Sequence, residues 1–414
     1  MKKTIAIMLS LALCAACLAA CGKAETPESP KEEAKVEEEK ETKVEEVEKE
    51  ETVEEKGSPE AKEEEKTDKE DKRSEAQKFV AQINVGWNLG NTLDAHGAGN
   101  TVDSETYWGN PKTTKEMIDA IKAKGFNTIR VPVTFAEHLG PAPDYTIDPA
   151  WLDRVEEVVN YGLDNDMFVI MDTHHETDYW LIPEPENEEK ITEELVAIWT
   201  QLSERFKDYD DHLIFEGMNE PRVIGSAQEW NGGLPYEREV VDHMNQAFVD
   251  TVRASGGNNE SRYVIICTYG NSATDTTIMN LVIPEDDHLI VSVHMYTPYV
   301  FTYKQSAGDV SVWDGSKLGD ITSLVRQLKT YLYNRGIPVI ITEFGAENKN
   351  NEDDIVAWIK DYMGAMNEYG FKCIWWDNGY YDSGNEHFGI FNRNTCTWYS
   401  DKIADALIAN SISE

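Results

Sequence analysis

Eight short runs of apolar and β-branched residues punctuate the chain beyond residue 79: VGWNLGN from Val85, FNTIRVPV from Phe126, MFVIMDTH from Met167, LIFEGMNE from Leu213, YVIICTY from Tyr263, LIVSVHMY from Leu289, PVIITEFG from Pro338 and KCIWWDNG from Lys372. Each is continuously apolar in its middle, the pattern of a strand covered on both faces. Amphipathic stretches separate them. PKTTKEMIDAIKAKG offers Thr113 or Thr114 as a cap, Met117, Ile118 and Ile121 as an apolar face, and Gly125 as a stop. DPAWLDRVEEVVNYGLDN opens with Asp148 as a cap and Pro149 at the first helical position, then repeats apolar residues at Leu152, Val155, Val158 and Val159. The same grammar predicts helices over 192–206, 236–254, 318–333, 353–369 and 398–408, with a brief one over 276–281. Eight strand–helix alternations predict an α/β fold, a closed (β/α)8 TIM barrel spanning residues 79–414.

The chain ahead of that pattern reads differently. Lys2 and Lys3 precede an uncharged stretch from Thr4 to Ala20 that ends in Leu18-Ala19-Ala20-Cys21, a charged n-region and apolar h-region before small residues. That ending resembles a bacterial lipobox and implies a signal peptide over 1–20 with lipidation at Cys21. Residues 21–78 then read as a lipidated cysteine and a disordered linker. From residue 22 on, this segment holds 23 acidic and 13 basic residues and no aromatic one, too little apolar surface to offset chain entropy. The expectation is an exported protein, lipid-anchored at the bacterial cell surface, with the linker as a spacer.

The net charge is −39, most of it in residues 79–414, which argues against nucleic acid, anionic lipid or polyanionic glycans as partners and leaves a neutral polymer favoured. Membrane association is expected through the lipid anchor only, and the barrel is expected to be a monomer. Three cysteines, Cys267, Cys373 and Cys396, fall in the folded part, an odd number without metal-type spacing, so no disulfide framework is expected.

A barrel gathers its chemistry at the C-terminal ends of its strands. The run ends supply Asn88 and Asn91, Arg130, His174 and His175, Asn219 and Glu220, Tyr269, His294 and Tyr296, Glu343, and Trp376. Two glutamates on such a rim suit acid/base and nucleophilic work on a sugar acetal, although their placement alone leaves their order and the stereochemical outcome open. The histidines lack an early HxH and any HExxH, so neither a metal nor any other cofactor is expected. No strand-end lysine suits a Schiff base, and GxSxG, GxGxxG and Walker-type phosphate loops are absent from the sequence.

This constellation resembles the family 5 glycoside hydrolases, most closely their endo-β-1,4-glucanase branch. The resemblance covers essentially all of 79–414 and is carried by GWNLGNTLDA at Gly86, IRVPVT at Ile129, DTHHE at Asp172, NEP at Asn219, HMYTPY at His294, TEFG at Thr342 and WWDNG at Trp375. It implies a retaining glycosidase acting on a neutral β-glucan, with Glu220 as general acid/base and Glu343 as nucleophile. It further implies Arg130 and Tyr296 beside Glu343, Asn219 on the 2-hydroxyl of the reacting sugar, His174 and His294 as substrate-binding and acid-orienting groups, and Trp376 as the aromatic floor. His175 and Asn91 are expected to bind substrate. Loop aromatics Tyr179, Trp180, Trp230, Tyr299 and Trp313 are candidates to stack on glucosyl units, with Trp180 and Tyr299 preferred. Trp108 is ambiguous, and His138 reads as structural. Xyloglucan, xylan and mannan remain alternative substrates, and a glycan-capturing lipoprotein without catalysis is the competing reading from another class. No separate carbohydrate-binding module is visible in the sequence.

Overall fold

The computed structural model describes residues 71–303 and 308–412. The leader, Cys21 and most of the expected linker lie outside the described residues. Eight parallel strands close into a barrel in sequence order: β1 (Val85–Asn88), β2 (Thr128–Val133), β3 (Phe168–Thr173), β4 (Leu213–Glu216), β5 (Val264–Ser272), β6 (Leu289–His294), β7 (Val339–Phe344) and β8 (Lys372–Trp375). All eight expected runs are strands. The helices follow the expected spacing: α2 (Lys115–Lys124), α3 (Pro149–Leu163), α4 (Glu188–Phe206), α5 (Pro235–Ala254), α6 (Asp275–Asn280), α8 (Leu318–Tyr331), α9 (Glu352–Asn367) and α10 (Asp401–Ala409), with the single turn α7 (Tyr299–Thr302) in the loop after β6. Asp148 caps α3 by accepting from the Ala150 amide at 2.8 Å, and Gly125 ends α2 in the left-handed region at φ 119°.

The boundary expected at residue 79 falls too late. α1 (Glu75–Ala81) already belongs to the barrel, opened by a capping box between Ser74 and Gln77. Gln77 Nε2 donates to the Tyr333 carbonyl at 2.9 Å, and the Phe79 ring stacks on Tyr263 at 3.6 Å. Phe79 and Val80 join Ile170, Ile214, Ile265, Ile290, Ile340 and Ile374 in an apolar cluster, so α1 plugs one end of the barrel. Its charged first residues resemble the preceding segment, which hid the helix in the composition. The larger core lies between strands and helices and includes Trp87, Trp151, Trp199 and Trp358.

Side chains two apart on a strand share a face. Along the barrel interior this turns isoleucine into charge: Ile170 is followed by Asp172 and then His174, and Ile214 by Glu216. Residues of the same parity on β1 and β2 are Asn88 and Arg130. The interior is therefore dry at the α1 end and ionic toward the strand C-termini. One break in the pattern matters. Val293 pairs with Ile341 but His294 pairs with Glu343, so β7 carries an extra residue there. Regular alternation would turn Glu343 outward with Ile341; the bulge re-aims it.

Candidate active site

Arg130 organises the floor. It is fully buried and spends its whole guanidinium on the rim: Nε donates to Glu216 at 2.6 Å, Nη1 to Glu343 at 2.9 Å and Asn88 at 3.1 Å, and Nη2 to Asp172 at 3.0 Å and Asn219 at 2.8 Å. One cation thus faces three carboxylates. Burial pushes the Asp172 carboxyl up to about 7 against the pull of Arg130, and burial likewise raises Glu216. One oxygen of each, Asp172 Oδ1 and Glu216 Oε1, has no hydrogen-bond partner.

Above it stands the carboxylate pair. Glu343 accepts from Arg130 on Oε1 and from the Tyr296 hydroxyl on Oε2 at 2.9 Å. Glu220 lies against His294 Nδ1 at 2.7 Å and takes Arg222 Nη1 on its other oxygen at 3.2 Å. His294 Nδ1 is also 3.4 Å from Glu343 Oε2, so one imidazole bridges both acids. The Asn271 amide nitrogen faces His294 Nε2 at 3.2 Å, an arrangement that favours the tautomer with its proton on Nδ1, toward the carboxylates.

The surroundings separate the two glutamates. For Glu220 burial works upward, but the hydrogen bond and charge of His294, with Arg222, hold it down at about 2. For Glu343 burial and the Glu220 charge work upward and prevail over the pull of His294, Arg130 and Tyr296. Burial would depress His294, yet the charges of Glu343 and Glu220 raise it. Burial and the Glu343 charge push the Tyr296 phenol well above its ordinary value, so Tyr296 remains a donor.

Side-chain donor atoms of Glu220, His294 and Glu343 all lie within 4.8 Å of one another. An approach this short points to a covalent displacement, for which carboxyl groups stand about 5–5.5 Å apart, rather than to an inverting site at roughly 6.5–9.5 Å. Asn219 Oδ1 accepts from Arg130 Nη2, which fixes the amide and leaves its nitrogen to donate from the cleft wall.

The cleft has a volume of about 690 Å³ and is lined by His174, His175, Asn219, Glu220, His294, Tyr296, Glu343 and Trp376. Trp376 stacks parallel to His174 at 5.6 Å, and His174 is oriented by Asp172 at 2.7 Å. Arg222, Trp230, Tyr299, Tyr303 and Glu386 extend the walls. The Arg222 guanidinium sits over the Trp230 ring at 4.4 Å, and Tyr299 stacks on Tyr303 at 5.0 Å.

Two expected binding residues do not line this cleft. Asn91 occupies a left-handed turn at φ 56°, its amide donating to Asp94 at 2.9 Å and its carbonyl accepting from Asn110 at 2.9 Å. Trp180 packs on the main core and donates to the buried Glu176 at 2.8 Å, so its indole N–H serves the loop itself. Trp313 is buried too, donating to Asp361 at 2.8 Å, and Tyr179 faces His96. His138 stacks on Trp151 at 4.0 Å as a structural residue. Sequence reasoning passed over Asp172, Glu216, Arg222 and Asn271. The first two were legible as charges sharing parity with interior isoleucines; Asn271 lies in the irregular stretch of β5 just after Gly270 and carries no such signal.

A strand-end pair of carboxylates this close, with an arginine-anchored floor and an aromatic wall in a (β/α)8 barrel, defines a glycoside hydrolase of the retaining type. The cellulase model of glycosyl hydrolase family 5 matches residues 93–382. The chain is 54% identical over 344 residues to endoglucanase A of Ruminococcus albus, covering 81% of this chain and 93% of that protein. Its fold superposes with a TM-score of 0.80 on a family 5 xyloglucan-specific endo-β-1,4-glucanase from a metagenomic library, solved with cellotriose, at 55% identity over 81% of this chain and 98% of that one. A broad-specificity endoglucanase from Ruminococcus champanellensis with bound cellotriose gives 0.78, at 45% identity over 80% and 98% of the two chains. The chain belongs to the cellulase family, glycosyl hydrolase family 5.

Proposed function

We propose that this protein is a retaining endo-β-1,4-glucanase that cuts internal bonds of neutral β-glucans, amorphous cellulose and mixed-linkage glucan among them, with xyloglucan as a further substrate. The observation that carries this reading is the approach of Glu220 and Glu343 across a cleft that Trp376 lines. Glu343 attacks the anomeric carbon while Glu220, taking over the proton that His294 Nδ1 holds against it at 2.7 Å, passes that proton to the departing glycosidic oxygen. Once Glu343 is esterified its charge is gone, Glu220 is the stronger acid for that loss, and it then takes a proton from the water that cleaves the glycosyl-enzyme. Arg130 and Tyr296 hold Glu343 in its attacking geometry, and His294 holds Glu220. Hydrolysis of barley β-glucan, carboxymethylcellulose and tamarind xyloglucan, followed by product size, tests the assignment; an exclusively exo-type release of one sugar would contradict it.

Arg222 tunes the acid. It contributes a cation against Glu220 Oε2, and a cation favours the carboxylate. Arg222→Gln should raise the Glu220 pKa, so the protonated acid persists to higher pH and the alkaline limb of kcat/KM moves up by about one unit. A downward movement would contradict the geometry. Trp376→Ala should leave the fold intact and lower kcat/KM on glucans by about 10- to 100-fold, as loss of a central aromatic contact does, in assays with barley β-glucan.

The exported, lipid-anchored location is part of the same proposal and rests on Leu18-Ala19-Ala20-Cys21, as the monomeric state rests on the acidic surface. Radiolabelled palmitate incorporated by the wild type and lost in Cys21→Ala supports the anchor; equal labelling of both removes it. The barrel is expected to adsorb weakly to crystalline cellulose.

A further inference from the structure

We propose that His96, His175 and Asp178 form a binding site for a borderline transition-metal ion of the Zn²⁺ class, made without Glu220, His294 or Glu343. The site joins the loop after β1 to the loop after β3 at the part of the cleft wall that His175 lines. Donor atoms of the three side chains lie within 4.8 Å of one another, with His96 Nε2 3.2 Å and His175 Nδ1 3.9 Å from the same Asp178 oxygen. Tetrahedral ligation at about 2.0–2.2 Å puts donors about 3.3 Å apart, so one edge already fits and small ring rotations supply the others.

The second nitrogen of each ring is already engaged. His96 Nδ1 meets the Tyr179 hydroxyl at 3.0 Å, and that hydroxyl also faces the Glu137 carboxylate. His175 Nε2 points at the fully buried Asp94 carboxylate at 3.6 Å. Metal-bound imidazoles characteristically turn their other nitrogen to a carboxylate or another fixed polar group, which sets the tautomer and the ring plane. Here this leaves His96 Nε2 and His175 Nδ1 facing Asp178, the nitrogens that an ion would take up on displacing their protons. Trp108 fixes both rings, its centroid 4.9 Å from His96 and 5.3 Å from His175. All three ligands remain partly exposed, so an ion can enter and keep water in its open position. The strongly acidic chain raises the local concentration of divalent cations.

The exposed trio Asp210, Asp211 and His212 is a poorer competitor. It has one imidazole, whose ring is stacked on Phe168 at 4.9 Å, and its carboxylates are consecutive surface residues.

The test is a titration of the untagged full-length chain with CoCl₂, read from the visible d–d bands, with ZnCl₂ as competitor. One Co²⁺ should bind and be displaced by Zn²⁺. His96→Ala and Asp178→Asn should each weaken binding by about tenfold or more, and Tyr179→Phe, which removes the hydroxyl between His96 Nδ1 and Glu137 but no ligand, by about tenfold. Glu343→Gln and Asp210→Ala should bind as the wild type does. Unchanged circular dichroism and melting of His96→Ala and Asp178→Asn exclude misfolding as the cause. Binding that survives both ligand variants, that disappears in Glu343→Gln, or that is absent from the wild type overturns the site.

Discussion

Glu343→Gln is expected to fold as the wild type does and to lose about 10⁴-fold or more in kcat on barley β-glucan, the scale on which covalent catalysis fails when its nucleophile is removed. Gln keeps the volume, and its Oε1 can still accept from Arg130 Nη1 while its Nε2 donates to the Tyr296 hydroxyl oxygen, but it offers no anion to attack the anomeric carbon. Melting temperature measured alongside kcat separates the two effects. The complementary variant, Glu220→Ala, should behave differently with substrate. A substrate with a good aryl leaving group needs no proton at departure, so it should form the glycosyl-enzyme at Glu343 and stall there. Added azide, which needs no general base, should release that intermediate as the β-glucosyl azide. Recovery of the α-azide from this variant would mean that the two glutamates have been given each other's roles.

The second large effect is on stability. Arg130→Met is expected to cost about 3–5 kcal/mol near pH 8, because it strands carboxylates that were buried around one cation. The pH dependence of that cost has a definite sign. Asp172 already sits at about 7 with Arg130 present, above the ordinary carboxylate range because of burial. Without Arg130 its folded-state pKa and that of Glu216 rise further, and a group whose folded pKa is raised favours the fold below the unfolded pKa and loses that support as pH rises through the folded value. The Arg130→Met deficit should therefore be smallest near pH 4–5 and grow toward pH 8 in denaturant titrations. A deficit that shrinks with rising pH would show that Arg130 does not serve as the counter-ion of this layer. Activity should fall as well, since Glu343 and Asn219 both take their orientation from the same guanidinium.

Much of this was written in the chain. Continuous apolar runs between amphipathic stretches marked every barrel strand, because strands buried on both faces leave no alternation to mislead, and Asp148-Pro149 and Gly125 marked helix ends by their backbone preferences. Glu220 and Glu343 were visible because a charge ending an apolar run stands out. What escaped was geometry that needs the closed barrel. Asp172 and Glu216 look in sequence like parts of a motif and a strand, yet parity with Ile170 and Ile214 places them inside, under the catalytic pair. The inward turn of Glu343 depends on a one-residue slip in β7 that no residue type signals. Trp180 and Trp230 look alike in sequence, both loop tryptophans; one finds a buried carboxylate for its N–H and the other an arginine on the cleft wall. α1 was lost because its helix-forming residues share the composition of the charged segment before it, and only the fit of Phe79 against the barrel's isoleucines distinguishes it.

The stereochemistry of the first product tests the central claim most directly. The account has Glu343 form a covalent glycosyl-enzyme and Glu220 direct water to the face it leaves, two inversions in sequence. Proton NMR of a cello-oligosaccharide digest, recorded before mutarotation, should show the new reducing end appearing as the β-anomer. Initial release of the α-anomer would contradict the double displacement and the roles given to both glutamates.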